Sequence, residues 1–137
     1  MSEYNIESLR NLFEYSFFVN VIDHDKAKAC EAISAEYENS IISRSKQFIG
    51  EIKEAIGTKT LHLFKEKYCE APFVIISIDE EDANKDAFQF ELVYMLNVRH
   101  YKKLPTVFVT EKAMSEYPFS NIGIEYYSRS WNQLSLK

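Results

Sequence analysis

Four consecutive acidic residues mark the first place where this sequence could do chemistry. Asp79, Glu80, Glu81 and Asp82 follow an apolar run, and Asp86 lies shortly beyond them. Open α/β sheets bind ligands beyond the carboxyl ends of their strands. These carboxylates therefore predict an anionic contact surface for a basic partner, and the alternative is a solvated loop that caps the next helix. The sequence contains no Asp-x-Asp-x-Asp-Gly loop, so we expect no metal here.

Glu91 could act as a nucleophile or an acid–base group, because it lies on a predicted helix beside the carboxyl end of the sheet. Helical spacing places Phe88 and Leu92 toward the core and Glu91 at the border of that face. The alternative for Glu91 is a rim carboxylate without a catalytic role. Residues 99–103 end the same helix with the sequence Arg-His-Tyr-Lys-Lys. These cations complement the helix dipole or, alternatively, form an anion site.

Large aromatic side chains near the end of the chain predict a second part of the contact surface. The set is Tyr117, Phe119, Tyr126, Tyr127 and Trp131. Tyrosine and tryptophan are common at protein interfaces because they bury a large area and keep a polar group. The alternative is that these rings pack in the core against the last strand.

The sequence lacks the common motifs of nucleotide and metal chemistry. No glycine follows either strand-like run in a phosphate-binding pattern, which argues against an ordinary nucleotide-binding fold. His24, His62 and His100 stand alone, without a Cys-x-x-Cys or His-x-x-x-His pattern to form a zinc site. We therefore expect no cofactor and no metal, and we favour a protein that is not an enzyme.

The elements that position these residues are clearest between Pro72 and Thr110. An apolar run over 73–78, a helical pattern from about 84 to 101 and a second run over 106–110 predict a strand, a helix and a strand. Two parallel strands need a crossover of about a dozen residues or more, so this spacing predicts a βαβ unit. The fold class that follows is a three-layer α/β domain with a mostly parallel sheet of about four or five strands.

The flanking patterns extend this order. Residues 16–22 predict a strand after a short first helix. Residues 25–56 carry a helical stripe that forms either one long helix or two helices broken near Asn39. Residues 111–117 predict a further helical segment, and residues 122–126 alternate like a last strand.

Composition narrows the class of protein. The chain has 137 residues, 46% of them hydrophobic, and a formal net charge of −5. These values suit a single domain over residues 1–137 and argue against a nucleic-acid-binding surface. Its start lacks the segments of a signal peptide, no apolar run could span a membrane, and Cys30 and Cys69 fit reduced core thiols. We therefore expect a cytoplasmic protein.

Glu91 also supports a first resemblance to known families. The order of strands and helices over about residues 16–128, with Glu91 on the helix after residues 73–78, resembles the toll/interleukin-receptor-type and nucleoside deoxyribosyltransferase-like folds. That resemblance implies a hydrolase in which Glu91 cleaves an N-glycosidic bond of NAD or a nucleoside.

The small size, the negative charge, the low glycine content and the acidic residues 79–82 support a second resemblance. In these features the chain resembles bacterial toxin-immunity proteins of the contact-dependent growth inhibition or barstar kind. The resemblance implies a non-enzymatic cytoplasmic inhibitor that blocks the active site of a cognate toxin, most concretely a nuclease. Acidic side chains would steer the basic toxin inward, and aromatic side chains would anchor it.

We take the immunity protein as the hypothesis from sequence and the hydrolase that uses Glu91 as its alternative. The expected partner is a basic toxin domain, with no nucleic acid and no membrane, and a homodimer through the long helix is a further expectation. The predicted partner-binding residues are Asp79, Glu80, Glu81, Asp82, Asp86, Tyr117, Tyr126, Tyr127 and Trp131.

Overall fold

The molecule is built around a five-stranded sheet in which every strand pair is parallel. The computed structural model describes residues 4–136, without the side chains of residues 128–130. The strands are β1 (Phe18–Ile22), β2 (Ser40–Arg44), β3 (Phe73–Ser77), β4 (Thr106–Thr110) and β5 (Asn132–Leu134). Their order across the sheet is β2-β3-β4-β1-β5, so β3, β4 and β1 are the inner strands.

Helices connect successive strands, as parallel pairing requires. The connecting helices are α2 (Lys26–Glu36), α3 (Ser45–Gly57), α4 (Leu61–Glu70), α5 (Asp86–Lys102) and α6 (Ile122–Ser130), and α1 (Ile6–Leu12) precedes β1. Short 3-10 helices, Glu80–Asp82 and Met114–Glu116, follow β3 and β4. Within the part of the chain that the structure describes, no helix is long and apolar enough to cross a lipid bilayer.

Two apolar clusters hold the helices against opposite faces of the sheet. On one face, Ile75 and Val107 pack with residues of α1 and α2. On the other face, Ile76 and Phe108 pack with residues of α3, α4, α5 and α6. Successive strand residues alternate between the two clusters, as the twofold repeat of a strand requires. The predicted three-layer α/β fold is confirmed.

The predicted βαβ unit is confirmed as β3, α5 and β4. The two strands pair directly, with Val74 opposite Thr106 and Ser77 opposite Val109. All residues of both strands are buried, which matches their continuous apolar runs.

Of the two alternatives for residues 25–56, the structure has the two helices, and the single long helix is excluded. α2 ends at Glu36, and Asn39 takes a positive φ of 63°, which turns the chain out of the helix at the predicted break. Strand β2 then lies at the edge of the sheet, where Ile41 and Ile42 are only partly covered. Because these residues also fit the helical spacing, the pattern concealed the strand. The expected homodimer through one long helix is therefore not supported, because residues 25–56 do not form one long helix.

Two expectations for the end of the chain are also wrong. Residues 122–126, predicted as a strand, begin α6, because Asn121 accepts hydrogen bonds from the amides of Gly123 and Ile124 at 2.8 and 3.4 Å and caps a helix there. Over so short a run, alternation fits a helix with one buried position, Ile124, equally well. The segment over 111–117 forms only the 3-10 turn Met114–Glu116, and the last strand is β5.

A fully buried arginine joins three elements at the opposite end of the sheet from the acidic residues. Arg99 of α5 donates hydrogen bonds to the carbonyl oxygens of Tyr68, Ala71 and Pro105 and to the hydroxyl of Thr106, at 2.6–3.0 Å. These acceptors lie at the end of α4 and the start of β4. Burial lowers the pKa of Arg99 to about 10, which leaves it charged at neutral pH. Arg99 is therefore a core residue whose guanidinium is used by internal acceptors, so it offers no anion site. Arg99, His100 and Lys102 lie in the last turn of α5, as expected for cations that complement the helix dipole.

We predict that Arg99→Lys lowers the free energy of unfolding by about 2–4 kcal/mol, because a single ammonium cannot reach all of these acceptors and each buried polar group left unpaired costs about 1–3 kcal/mol. Urea unfolding at neutral pH measures the loss. The matched control is Arg10→Lys, whose ion pair with Glu36 is exposed and should contribute less than about 1 kcal/mol. Equal small losses in both variants would contradict the assigned role of Arg99.

Candidate functional site at the carboxyl edge of the sheet

The carboxyl ends of the four strands β1 to β4 meet at one edge of the sheet and border a cleft of about 760 Å³, which we call the carboxyl-edge cleft. Its charged lining consists of four cations and four carboxylates, so the formal charges cancel. The cations are Lys26, Arg44, Lys46 and Lys112, and the carboxylates are Asp79, Glu80, Glu81 and Glu111.

An ion pair between Lys26 and Asp79 lies at the centre of this cleft. Lys26 is the first residue of α2, and Asp79 follows β3. The Lys26 Nζ lies 2.7 Å from Asp79 Oδ1, 3.3 Å from the carbonyl oxygen of Ile78 and 3.4 Å from Glu111 Oε1. The other oxygen of Asp79 accepts a hydrogen bond from Arg44 at 3.3 Å. The side chains of Lys26 and Asp79 are only 15% and 17% exposed, so solvent screens their attraction less than that of a surface pair.

The pKa values of the two partners shift in the directions that a stable ion pair requires. Burial alone would lower the pKa of Lys26, but its hydrogen bond with Asp79 and the negative charges of Asp79 and Glu111 raise it overall. Burial alone would raise the pKa of Asp79, but Lys26 and Arg44 lower it overall. Both groups are therefore ionised at neutral pH.

The next two acidic residues are paired at the rim of the cleft. The Lys112 Nζ lies 2.8 Å from Glu80 Oε1, and Lys46 forms an ion pair with Glu81. The four side chains of these pairs are 40–63% exposed, and exposed ion pairs typically contribute less than about 1 kcal/mol.

Asp82 is fully buried and links three elements. Its Oδ2 accepts a hydrogen bond from Ser45 Oγ at 2.8 Å, and its Oδ1 lies 2.8 Å from Lys85 Nζ. Ser45 Oγ also accepts a hydrogen bond from the amide of Asp79 at 3.0 Å. Asp86 lies exposed in the first turn of α5. We call residues 79–82 the acidic segment. Each of its carboxylates is bound to a cation of the same chain, so the segment is not a free anionic surface.

The junction between β1 and α2 is filled by carboxylates as well. Three residues, Asp23, His24 and Asp25, separate the strand from the helix. Asp23 Oδ1 accepts a hydrogen bond from the amide of Asp25 at 2.8 Å, and Asp25 Oδ1 accepts one from the amide of Lys28 at 3.1 Å. Side chains of the protein thus take up amide groups at the start of α2 that could otherwise bind an external anion.

The structure separates the aromatic residues that the sequence grouped. Tyr117 is buried beside the cleft, where its hydroxyl accepts a hydrogen bond from the amide of Glu111 at 3.1 Å. Trp131 is buried and stacks on Phe108 at a ring distance of 4.3 Å. The hydroxyl of Tyr127 donates to Asn97 at 2.7 Å and its ring contacts Phe18, and Phe119 is half-buried near Tyr117. Of the predicted contact aromatics, Tyr126 is the one that is largely exposed, at 69%.

The cations of the cleft were missed by the sequence analysis. Lys26, Arg44, Lys46 and Lys112 each lie at or just beyond the carboxyl end of a strand, so position was the signal that could have found them. Two of them depend on β2, the strand that the helical stripe concealed. Without β2, Arg44 and Lys46 are ordinary residues of a long helix.

Glu91 lies away from the cleft. It is 5% exposed on α5, with Lys65 of α4 as its nearest charged influence, and its Oε2 has no hydrogen-bond partner among the described residues. Burial raises the pKa of Glu91, and Lys65 only partly offsets this effect.

An oxygen of each of Asp79, Glu81 and Asp82 lies within 4.8 Å of the others, a spacing that could hold a metal ion. Each of these carboxylates is already bound to a lysine or arginine. Such pairing competes with metal coordination, so the group gives no support for a metal site.

Comparison with known proteins relates this arrangement to proteins of DNA replication. No protein-family model matches the sequence, and no curated protein sequence matches it. Among solved structures, the replication initiator DnaA bound to AMPPCP and single-stranded DNA matches all of this chain with a TM-score of 0.84 and 12% identity. Domain III of DnaA from Thermotoga maritima matches 96% of the chain with a TM-score of 0.80 and 12% identity. The DnaC helicase loader matches 96% with a TM-score of 0.64 and 13% identity.

The shares of the matched proteins differ. This chain covers 47% of the initiator bound to AMPPCP, 60% of the Thermotoga maritima domain and 88% of the helicase loader. It therefore spans about half the length of the first DnaA structure. At 12–13% identity the likeness establishes a shared fold.

These matches overturn the function predicted from sequence. The chain has the fold of replication initiators and helicase loaders, so the immunity-protein hypothesis is wrong, and the glycosidic-bond hydrolase that uses Glu91 is not supported. The expectation of a toxin partner and no nucleic acid is also contradicted, since one matched protein is bound to single-stranded DNA. The inference against a nucleotide-binding fold is wrong as well, because that same protein is bound to the nucleotide analogue AMPPCP.

The residues of this chain nevertheless do not fit a bound nucleotide. A phosphate-binding loop needs glycines and a run of free amides before its lysine, as in Gly-x-x-x-x-Gly-Lys. Here Lys26 follows only three non-glycine residues after β1, and two of them are carboxylates that use nearby amides. Lys26 itself is bound to Asp79. The described connection after β1 thus carries carboxylates and an ion-paired lysine where a phosphate-binding loop would offer free amides and a free lysine.

We predict that Glu91→Gln stabilises the protein at neutral pH. The folded-state pKa of Glu91 lies above its ordinary value of 4.5, so its contribution to stability is fully present below that value and is lost as the pH rises through the folded-state pKa. The gain from Glu91→Gln should therefore be larger at neutral pH than in mild acid. Urea unfolding of both proteins across this range measures it, with the exposed Glu66→Gln as control. An effect of Glu91→Gln on the free energy of unfolding that does not change with pH would contradict a raised pKa of Glu91.

Proposed function

We propose that this chain is a protein of DNA replication that acts by binding another replication protein. The observation that carries the proposal is the match of its entire length to a replication initiator with a TM-score of 0.84. Matches to a helicase loader and to a putative primosome component from Streptococcus pyogenes support the same process. Such a protein works in the cytoplasm, as the sequence analysis expected, and residues 1–137 as a single domain remain part of the proposal.

The proposal favours binding over catalysis because the charged groups of the carboxyl-edge cleft are bound to one another. Its cations are paired with carboxylates of the same chain, and Asp23 and Asp25 accept hydrogen bonds from amides at the start of α2. A surface that contacts a partner must therefore be sought elsewhere on the molecule.

The outer surface of α5 and α6 is the strongest candidate for that contact. Five large apolar or aromatic side chains project from these two helices, and they are 43–86% exposed. Large exposed apolar patches on a folded protein mark interaction sites. The residues are Phe90, Tyr94, Tyr101, Ile122 and Tyr126, and we call this set the outer aromatic face.

The two helices form one continuous surface, because they pack side by side in the same direction. Gln89 accepts a hydrogen bond from the amide of Asn121 at 2.8 Å near the start of both helices. Tyr127 and Asn97 are hydrogen bonded further along. Between these contacts, a Cβ at Gly123 would lie 3.3 Å from Val93, so glycine permits the close approach. Within the outer aromatic face, Phe90 and Tyr94 follow each other at the spacing of one helical turn, as do Ile122 and Tyr126.

The chemistry of this face suits a protein partner with an apolar contact area. Aromatic residues, tyrosine above all, are enriched in the buried centres of protein interfaces. Lys65, which lies 4.4 Å from the centre of the Tyr94 ring, adds a cation at its edge. Tyr126 is the residue that this proposal shares with the aromatic set predicted from sequence. The acidic segment and Asp86 remain predictions as contact residues, with less to support them because the segment is internally paired.

We predict that the purified chain binds the replication initiator or the helicase loader of its own organism, and that the double variant Phe90→Ala with Tyr126→Ala weakens binding at least tenfold, or about 1.4 kcal/mol. Central aromatic residues of an interface typically carry contributions of this size or larger. Biolayer interferometry against each purified protein, and against a single-stranded oligonucleotide in a separate arm, measures the affinities.

The matched control for this experiment is Tyr15→Ala, because Tyr15 is 86% exposed and follows α1 on the other side of the sheet. It should leave binding unchanged. Failure to bind either replication protein would refute the proposed function. Binding that both variants weaken equally, or that neither weakens, would keep the function but remove the outer aromatic face from the interface.

A further inference from the structure

We infer that the acidic segment is a built-in substitute for an external polyanion, and that it closes the carboxyl-edge cleft to nucleoside triphosphates. The inference goes beyond the proposed function, since partner binding through the outer aromatic face does not depend on it. It rests on the placement of four carboxylates among the cations at the carboxyl edge of a nucleotide-binding fold.

The four cations of the carboxyl-edge cleft are already bound to carboxylates of the acidic segment. Asp79 binds both Lys26 and Arg44, through different oxygens, at 2.7 and 3.3 Å. Glu80 binds Lys112, and Glu81 binds Lys46. An incoming triphosphate would have to break these pairs and would then face the released carboxylates within the same cleft. Like charges at such short range repel an anion instead of holding it.

The ion pairs of the acidic segment differ in their exposure to solvent, and the pair of Asp79 is the most covered of those that line the cleft. The pairs of Glu80 and Glu81 are exposed and exchange readily with water and salt. The pair of Lys26 and Asp79 is mostly covered, and the amide of Asp79 is also held by Ser45 Oγ at 3.0 Å. Asp79 is therefore fixed between α2 and the junction of β2 with α3. A bound anion in this place would link the same elements.

Backbone amides at the start of α2 are also bound to carboxylates of the protein. Nucleotide binding at the start of a helix needs free amides as well as a lysine. In this chain, Asp23 and Asp25 accept hydrogen bonds from amides at that position, so carboxylates of the protein replace phosphate oxygens there too. Side chains from two separate segments thus supply the negative charge that a nucleotide would bring. The chain keeps the parallel sheet and the helix start, and its own carboxylates occupy the place of a bound anion.

The test measures binding of two probes, AMPPCP with Mg²⁺ and inorganic triphosphate, by isothermal titration calorimetry at low ionic strength. The wild type should bind neither probe with a Kd below about 1 mM. Asp79→Asn removes the carboxylate that Lys26 and Arg44 share, leaves Lys26 with only the exposed Glu111 as an ion-pair partner among the described residues, and should bind triphosphate at least tenfold more tightly than the wild type. Asp86→Asn is the matched control, because it removes the same charge from the exposed first turn of α5 without freeing a cation of the cleft, and it should behave like the wild type.

A second variant keeps the inference testable if Asp79→Asn fails to fold. The double change Glu80→Gln with Glu81→Gln frees Lys112 and Lys46, whose exposed pairs contribute little to stability, and it should also gain affinity for triphosphate. Binding of AMPPCP to the wild type below about 1 mM would overturn the inference. It would also be overturned if the folded variants bound triphosphate no better than the wild type. Neither result bears on partner binding, which is measured on a different surface.

Discussion

The ion pair between Lys26 and Asp79 is the interaction on which the carboxyl edge of this molecule depends. A parallel sheet brings the ends of all its strands to one edge, and the residues that follow them must share that space. In this chain those residues are charged, and many lie in a partly covered cleft where an unpaired charge would be costly. Pairing Lys26 with Asp79 joins the connection after β1 to the connection after β3, and Arg44 adds the end of β2. The remaining pairs are arranged around this centre.

The opposite end of the molecule is organised by a different kind of interaction. Arg99 is buried with uncharged acceptors, mainly backbone carbonyl oxygens at the end of α4 and just before β4. The carbonyl groups of Tyr68 and Ala71 lie at the end of α4, where helical carbonyl groups lack later amide partners, and the Pro105 carbonyl also accepts a hydrogen bond from the amide of Val74 at 3.4 Å. One end of the sheet is thus held by paired side-chain charges and the other by an arginine that satisfies the backbone. Between them lie the buried inner strands, and α5 and α6, which carry the outer aromatic face, pack against one face of these strands.

The fold was largely predictable from sequence, and the candidate site was not. The runs over 73–78 and 106–110 consist of apolar residues except for Ser77, Thr106 and Thr110, so the βαβ unit and the layers followed from local patterns. β2 was not predicted because an edge strand with partial burial lacks a continuous apolar run, and because its residues also fit a helical stripe. The cleft depends on β2 and on ion pairs between residues far apart in the chain, such as Lys26 with Asp79. Charge pairing across a fold leaves no periodic signal, so the acidic segment looked like a free surface.

Function could not be read from acidic residues that are bound to cations of the same chain. The absence of a glycine loop was taken as evidence against an ordinary nucleotide-binding fold, yet the chain shares its fold with a protein bound to AMPPCP. The strands and helices match a protein bound to AMPPCP, while the connection after β1 carries Asp23 and Asp25, whose carboxylates accept hydrogen bonds from nearby amides. The acidic residues that suggested a toxin inhibitor are instead bound within the chain.

A double-mutant cycle on Lys26 and Asp79 measures whether their ion pair organises the carboxyl edge of the sheet. The free energy of unfolding is measured for the wild type, Lys26→Met, Asp79→Asn and the double variant, and the departure from additivity gives the coupling between the two side chains. A partly covered pair that organises the carboxyl edge predicts a favourable coupling of at least about 1 kcal/mol, reduced by added salt. Additive effects, with a coupling below about 0.3 kcal/mol, would show that the two charges act independently and would contradict the account.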